Sequence, residues 1–222
     1  ATGRDVAASR NASGAGGDTV FEVTSGPIAA TALADRPAWQ RSGVHLSPLP
    51  SSSRLWSSSN EGAFAALQAD GTISSWGDPS MGGTGAPTGS GYTQIFSTRE
   101  SFLALKADGS LVSWGNSRSG GNIVASEPGI TQIYSNVGVF VALKSDGSLR
   151  AWGEPYLGVI GVPPGTGFTT VVANSQSFAA LTADGSIRAW GDAYSGGSGA
   201  PTQAGFTKIY SNGNGAFAAL ST

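Results

Sequence analysis

The chain of 222 residues carries few charges, with 12 lysine and arginine residues, 14 aspartate and glutamate residues and one histidine. Its net charge of −2 provides no basic surface for nucleic acid, and the absence of cysteine excludes disulfides and thiolate metal sites. No run of 18 apolar residues occurs, so we expect no membrane insertion.

Many small polar residues and few lysines are typical of secreted or cell-surface proteins, most of all bacterial ones. We therefore expect that location. The first residue is Ala1, which fits either a chain whose leader has been removed or an excerpt of a longer protein.

Residues 1–19 form a Gly/Ala/Ser-rich N-terminal segment, and residues 20–63 contain a degenerate copy of the repeat that follows. In that copy Phe21 and Trp39 take the anchor positions. The strand that contains Val20, Phe21 and Val23 could pair with the C-terminal edge of its own chain and close a ring of five units. It could equally pair with a neighbouring molecule and build a fibre head to tail.

Residues 64–222 contain four regular repeats, whose tryptophans follow one another at a constant step of 38 residues. A period of this size indicates a stacked array such as a propeller. The repeat anchors are Phe64, Asp70, Gly71 and Trp76; Phe102, Asp108, Gly109 and Trp114; Phe140, Asp146, Gly147 and Trp152; and Phe178, Asp184, Gly185 and Trp190.

In each repeat an Asp-Gly pair separates two short apolar runs, which predicts a β-hairpin with a two-residue type I′ turn. With Asp184 and Gly185 as the loop, Leu181 would pair with Arg188. Both faces of such a hairpin are apolar, so we expect each sheet to be covered on both sides, with the tryptophans in the core.

Short alternating strands lie between the hairpins and keep the same step, as Ile95, Ile133, Val171 and Ile209 show. A Gly-rich loop precedes each of these strands. Each unit therefore has three predicted strands and room for a fourth within the loop, which is the size of a propeller blade. The predicted fold is all-β, a β-propeller-like array of about five blades.

The order Ile-Tyr-Ser, Phe-Ala-Ala-Leu, Asp-Gly and Trp-Gly over residues 54–222 resembles the regulator-of-chromosome-condensation repeat, whose family builds β-propellers. Two features depart from that family: the units are shorter, and the histidine that often precedes the Leu strand is missing. The resemblance implies a propeller fold. It also raises small-GTPase regulation as an alternative function, although no suitable contact loops are evident.

No pattern for catalysis, a cofactor or a metal is evident. The turn aspartates suit the turn itself, and Asp78, Asn116, Glu154 and Asp192, which follow Trp-Gly, are expected to cap loop amides. His45 has no accompanying nucleophile or orienting acid, so we expect no enzyme.

Residues that break the repeat are the candidates for partner contact. They are Arg99, Glu100, Arg118, Tyr156, Leu157 and Tyr194, together with the N-terminal Val20, Phe21 and Val23. The sequence thus favours a non-enzymatic, surface-exposed structural or adhesive protein that associates with itself or binds another protein. The alternative from a different class is a carbohydrate-binding propeller.

Overall fold

The computed structural model describes residues 54–56 and 60–221. This part of the chain contains 15 strands in five antiparallel sheets and four short 3-10 turns, with no α-helix. The all-β prediction is confirmed. Residues 1–53, with the Gly-rich segment, most of the degenerate repeat and Val20, Phe21 and Val23, lie outside the described residues, so those interpretations stay predictions.

Each sheet is formed by strands that are consecutive in the chain. The strands of sheets 1 to 5 are, in order: β1 Arg54–Trp56, β2 Ala63–Leu67 and β3 Ile73–Gly77; β4 Tyr92–Ser97, β5 Ser101–Lys106, β6 Ser110–Gly115 and β7 Val124–Ser126; β8 Ile130–Ser135, β9 Val139–Lys144 and β10 Leu149–Gly153; β11 Phe168–Ala173, β12 Ser177–Thr182 and β13 Ile187–Gly191; β14 Phe206–Ser211 and β15 Phe217–Ser221.

The sheets begin one strand earlier than the sequence repeat that we delimited. Strand β1, which we assigned to the degenerate unit 20–63, pairs with β2, and Trp56 lies opposite Ala65. Tyr134 lies opposite Val141 in the same way. A sheet therefore spans the boundary at residue 63, because a short strand pairs most readily with the strand that follows it through a turn.

The predicted two-residue loop of the hairpins is wrong. In sheet 4 the N–H of Thr182 donates to the carbonyl of Ser186 at 3.0 Å, so three residues form the loop. The N–H of Gly185 donates to the Thr182 carbonyl, and Gly185 has a φ of 81°. Asp184 accepts the N–H of Ser186, which stabilises this longer turn. A three-residue loop whose last residue is a glycine with positive φ also accommodates an Asp-Gly pair.

The longer loop shifts the hairpin register by one residue. Leu181 pairs with Ile187, and Phe178 lies opposite Trp190. The two rings stack with their centroids 5.5 Å apart. One face of the sheet therefore presents the Phe–Trp pair, whereas Leu181 and Ile187 lie on the other face.

The core lies between consecutive sheets. Val139, Val141 and Leu143 of sheet 3 pack against Phe178 and Trp190 of sheet 4. Three further clusters join the other neighbouring pairs in the same orientation. The inner sheets are thus covered on both faces, as predicted, and a fully buried Phe side chain contributes about 1.5–3 kcal/mol to stability.

Two of the four repeat tryptophans are buried and bonded across this core. Trp114 and Trp190 are 4% and 3% exposed, and their indole N–H groups donate to the carbonyls of Gly82 and Gly158, which lie in the loop after the preceding sheet, each at 2.9 Å. Trp76 is half-buried and stacks on Phe64. The tryptophans therefore connect neighbouring sheets as well as filling the space between them.

Trp152 differs because the loop before it differs. Ile123 occupies the position that is Gly85 and Gly161 in other units, and it is buried in the same cluster as Trp152. At Gly161 an added Cβ would lie 3.6 Å from the Cβ of Trp190, so a side chain at this position faces the next tryptophan. The described structure shows neither ring stacking nor an indole hydrogen bond for Trp152.

Candidate interaction surface

The sheets expose two different ends. An antiparallel three-stranded meander places the turn between its first two strands beside the exit of its third strand. We call this the Trp-Gly end; it comprises those turns and the 3-10 turns Pro79–Met81, Ser117–Ser119, Pro155–Leu157 and Ala193–Ser195. The opposite end carries the Asp-Gly hairpin loops and is called the Asp-Gly end.

Backbone hydrogen bonds join all five sheets at the Trp-Gly end. The N–H of Glu61 donates to the carbonyl of Arg99, Arg99 to Val137, Val137 to Ser175 and Ser175 to Gly213, at 2.9–3.2 Å. These residues follow one another at the 38-residue step. The sheets therefore approach within one hydrogen bond of each other here, which holds the turns in a continuous row.

A buried asparagine links the two parts of the Trp-Gly end within a sheet. Asn136 accepts the N–H groups of Gly138 and Val139 at 2.9 and 2.8 Å, and its amide donates to the carbonyl of Leu157 at 2.7 Å. Asn60 and Asn174 repeat these three bonds. Our sequence reasoning missed these asparagines, although their 38-residue step was a usable signal.

Sheet 2 replaces the asparagine with a hydroxyl network. The Thr98 and Ser101 hydroxyls lie 2.6 Å apart and both donate to the Ser119 carbonyl. The amide of Asn116 donates to the carboxylate of Glu100 at 2.8 Å. Glu100, which we considered as a partner contact, is therefore held by its own sheet.

The residues that follow Trp-Gly cap the 3-10 turns, as predicted, in three of four cases. Asp78 accepts the N–H of Ser80 and Asp192 that of Ser195, both at 2.8 Å, while Asn116 caps its turn in the same way. The prediction is wrong for Glu154, which makes no side-chain cap bond. The hydroxyl and then the N–H of Ser80 hold the pKa of Asp78 below its usual value.

The four 3-10 turns present a row of exposed side chains. The middle residues of the four 3-10 turns are Ser80, Arg118, Tyr156 and Tyr194. Tyr194 is 99% exposed and Tyr156 is 75% exposed. Arg118 is exposed as well, and Arg99 is exposed on the backbone row at the same end. The structure thus places four of the predicted partner contacts, which lie in different repeats, at one end of the array.

The Asp-Gly end carries four aspartates whose carboxylates are engaged in the turns. Asp70, Asp108, Asp146 and Asp184 each accept the N–H of the residue two positions later. Hydrogen bonds hold the pKa of each below its usual value, with the Thr182 hydroxyl as the main cause at Asp184. Turn formation accounts for these four residues.

Within residues 60–221 no group of three His, Asp or Glu side chains is placed to hold a metal ion. No helix in the described part of the chain is long and apolar enough to cross a membrane. A shallow depression at the Trp-Gly end is lined by residues that include Arg99, Asn136 and Asn174.

No family model and no curated protein matches the chain. Solved structures similar to it include the ectodomain of the receptor kinase CR4 from Physcomitrella patens, with a TM-score of 0.52 and 19% identity over 68% of this chain and 44% of that one. Two others have lower TM-scores. The CRINKLY WD40 ectodomain of Arabidopsis thaliana ACR4 has 0.47, with 17% identity over 68% and 54% of the two chains.

Prp20p from Saccharomyces cerevisiae has a TM-score of 0.45 and 17% identity over 62% of this chain and 44% of its own. The chain thus spans less than half the length of the CR4 and Prp20p structures. The likeness to CR4, together with the five repeated sheets, confirms the predicted architecture. This chain has the fold of a β-propeller-like repeat array, similar to the regulator-of-chromosome-condensation repeat that its sequence resembles.

Proposed function

We propose that this protein is a non-enzymatic interaction scaffold that binds a partner protein through the Trp-Gly end. One observation carries the proposal: Tyr156 and Tyr194 occupy equivalent positions in neighbouring sheets and are 75% and 99% exposed. Tyr and Arg dominate the energetics of many protein interfaces, and Arg118 continues the same row.

The rigidity of the row supports the same function. Asn136 and Asn174 tie the two tyrosine-bearing turns to their sheets through bonds to the carbonyls of Leu157 and Ser195. A side chain on a fixed backbone loses less conformational entropy on binding than one on a free loop. The tyrosines can therefore contact a partner at low entropic cost.

The proposal also includes a secreted or cell-surface location, which the composition supports, and association with further copies of the chain. The outer face of sheet 5 supports self-association, since Tyr210 and Leu220 on it are 53% and 52% exposed. Prp20p is described as having binding properties to Gsp1p and histones, and that description concerns Prp20p alone.

Carbohydrate binding is the second candidate, on the strength of the same exposed tyrosine rings. Trp114 and Trp190 do not support it, because both are buried in the core and offer no ring face to a sugar. A sugar site would therefore also depend on Tyr156 and Tyr194.

The experiment immobilises the wild-type protein and the double variant Tyr156→Ala and Tyr194→Ala. It then measures the amount of each surface protein that they capture from cells of the organism that makes this protein. We expect the captured amount of the main partner to fall at least about tenfold, because the variant loses two aromatic side chains that anchor the interface. Val124→Ala, which alters a side chain that is 83% exposed outside the row, is the matched control and should have no effect.

Capture that is unchanged in the double variant would contradict the proposal. A glycan array with the same three proteins separates the candidates. Binding to sugars that is lost only in the tyrosine variant would replace partner-protein binding with carbohydrate binding.

A further inference from the structure

Sheet 2 has a fourth strand, whereas sheets 1, 3 and 4 end at their third strand in the described part of the chain. In sheet 2 the strand Val124–Ser126 pairs antiparallel with Ser110–Gly115, and the N–H of Ser113 donates to the carbonyl of Ile123 at 2.8 Å. In sheet 4 the strand Ile187–Gly191 has no strand on its outer side among the described residues. An open strand edge of this kind can accept a strand of another chain.

Prolines keep the connections after sheets 1, 3 and 4 from forming this fourth strand. The 38-residue step aligns Pro87, Pro163 and Pro201 with Ala125, which lies opposite Leu111 in the ladder of sheet 2. Proline has no N–H to donate to a ladder. Two positions before each proline is a glycine with a φ of 76–87°, which a strand does not adopt. These connections therefore leave the outer edges of their own sheets open.

The backbone groups of Ala189 face the open edge of sheet 4. The N–H of Thr182 donates to the carbonyl of Ser186, so every second residue from Ser186 bonds to the second strand, and Ile187 and Ala189 face the other side. Ser113, the equivalent of Ala189 in sheet 2, is 7% exposed beneath the fourth strand, whereas Ala189 is only half-buried. Within residues 60–221 the Ala189 N–H makes no bond to the connection that follows it.

Arg188 places an unpaired positive charge in the middle of this edge. It is exposed, and it forms no ion pair with any described residue. Arg150, its equivalent in sheet 3, pairs with Glu127 at 3.4 Å, whereas sheet 1 has Ser74 at this position. The residue one repeat after Glu127 is Gly165, which has no carboxylate to offer Arg188. Of the three open edges, that of sheet 4 therefore has a cation that is free for a partner.

The register of sheet 2 shows which residue of an added strand would lie opposite Arg188. In sheet 2 the equivalent of Arg188 is Val112, and it lies opposite Val124. The two residues of this pair exchange no ladder hydrogen bonds, so their side chains lie close together. A carboxylate at the position of Val124 would attract the Arg188 guanidinium, because opposite charges across a ladder stabilise the pair. The edge therefore fits an extended segment with Asp or Glu at this position.

We propose that the outer edge of sheet 4 binds an extended segment of another protein as an antiparallel fourth strand, with an acidic side chain opposite Arg188. The backbone groups of Ile187 and Ala189 form the ladder, which any sequence without proline can complete, and Arg188 provides the selectivity. This goes beyond the proposed function, because the site lies along the side of the array and does not involve Tyr156 or Tyr194.

A synthetic peptide that copies the chain's own fourth strand tests the proposal. It contains residues 122–126 with the change Val124→Glu, has the sequence Asn-Ile-Glu-Ala-Ser and is blocked at both ends. We titrate it to millimolar concentration into isotope-labelled protein and record nuclear magnetic resonance spectra. We expect the amide signals of Ile187 and Ala189 to shift and the exchange of the Ala189 amide with solvent to slow. Unchanged signals at both residues would overturn the proposal.

Charge reversal tests the role of Arg188. Arg188→Glu should weaken binding of the peptide at least about fivefold, because like charges then lie opposite each other. A peptide with lysine in place of the glutamate should bind the Arg188→Glu protein more tightly than the wild type. Lys208→Glu, the same charge change at an exposed residue in the first strand of sheet 5, is the matched control and should have no effect. An equal loss in the control, or no reversal with the lysine peptide, would contradict the role of Arg188.

Hydrogen exchange of the protein alone tests for other occupants of the edge. The Ser113 amide, which is bonded to the fourth strand of sheet 2, should exchange at least about tenfold more slowly than the Ala189 amide. Equal protection would show that another part of the chain or a second copy already covers the edge, which would overturn the proposal. The Tyr156 and Tyr194 variants should bind the peptide normally, so failure here is distinguishable from failure of partner binding at the Trp-Gly end.

Discussion

The sequence Phe-Ala-Ala-Leu occurs three times in this protein, and the copies at residues 178–181 and 217–220 have opposite surroundings. At residues 178–181 all four side chains are buried, and Leu181 is 7% exposed. At residues 217–220 the same four residues are partly or fully exposed, and Leu220 reaches 52%. Each copy forms a strand that pairs antiparallel with the strand before it in the chain.

Among the described residues, sheet 4 has three strands and a neighbouring sheet on each side, whereas sheet 5 has two strands and a neighbouring sheet on one side. The apolar side chains of a strand in such an array are buried by the sheets that pack on either face. Stability is therefore shared between adjacent sheets, as in other repeat proteins, and the last sheet depends on whatever packs against it.

The two leucines provide the largest expected contrast. We expect Leu181→Ala to lower the free energy of unfolding by about 2–4 kcal/mol, since it leaves a cavity between two sheets. Leu220→Ala should cost under about 1 kcal/mol, because that side chain already contacts water. Urea unfolding at low protein concentration measures both, and equal losses would show that sheet 5 is covered in solution.

The asparagines at the Trp-Gly end provide a smaller contrast. Asn174 is buried, accepts the N–H groups of Gln176 and Ser177 and donates to the carbonyl of Ser195. Asn174→Ala should therefore cost about 2 kcal/mol. Asn212 is exposed and caps its turn only, so Asn212→Ala should cost about 1 kcal/mol or less. Thermal unfolding of both variants checks the order, and a larger loss at Asn212 would contradict it.

The Asp-Gly turns, which the described part of sheet 5 lacks, provide the smallest effect. The Thr182 hydroxyl and then the Ser186 N–H hold the pKa of Asp184 below its usual 3.8. A lowered carboxyl pKa contributes stability above the unfolded-state value that is lost as the pH falls through the folded-state value. Asp184→Asn should therefore destabilise the protein near neutral pH and progressively less below about pH 4. Urea unfolding midpoints of the wild type and the variant, measured against pH, test this. A difference that does not change with pH would show that the charge of the Asp184 carboxylate is not the cause.

Much of the fold was predictable because the repeat is regular. A constant 38-residue step and an Asp-Gly pair between apolar runs predict hairpins and stacked sheets without further information. The hairpin register was not predictable, since an Asp-Gly pair fits both a two-residue and a three-residue loop. The hydrogen bond from Ser186 to Asp184 and the stacking of Phe178 on Trp190 distinguish the two.

The candidate surface was predictable in part. Arg118, Tyr156 and Tyr194 were identifiable because they vary at one position of the repeat. Their common orientation depends on the 3-10 turns and on Asn136 and Asn174, whose roles follow from carbonyls 21 residues away in the chain. A polar residue in a turn has many possible partners, and only the packed structure selects one.

By itself the amino-acid sequence determined the period, the strands and the apolar character of both sheet faces, because these depend on residues close together in the chain. Only the tertiary structure decided which faces are covered, which tryptophans bond to the preceding sheet and which end presents the tyrosines. Those properties depend on contacts between residues that are far apart in the chain, and two identical tetrapeptides therefore differ in burial.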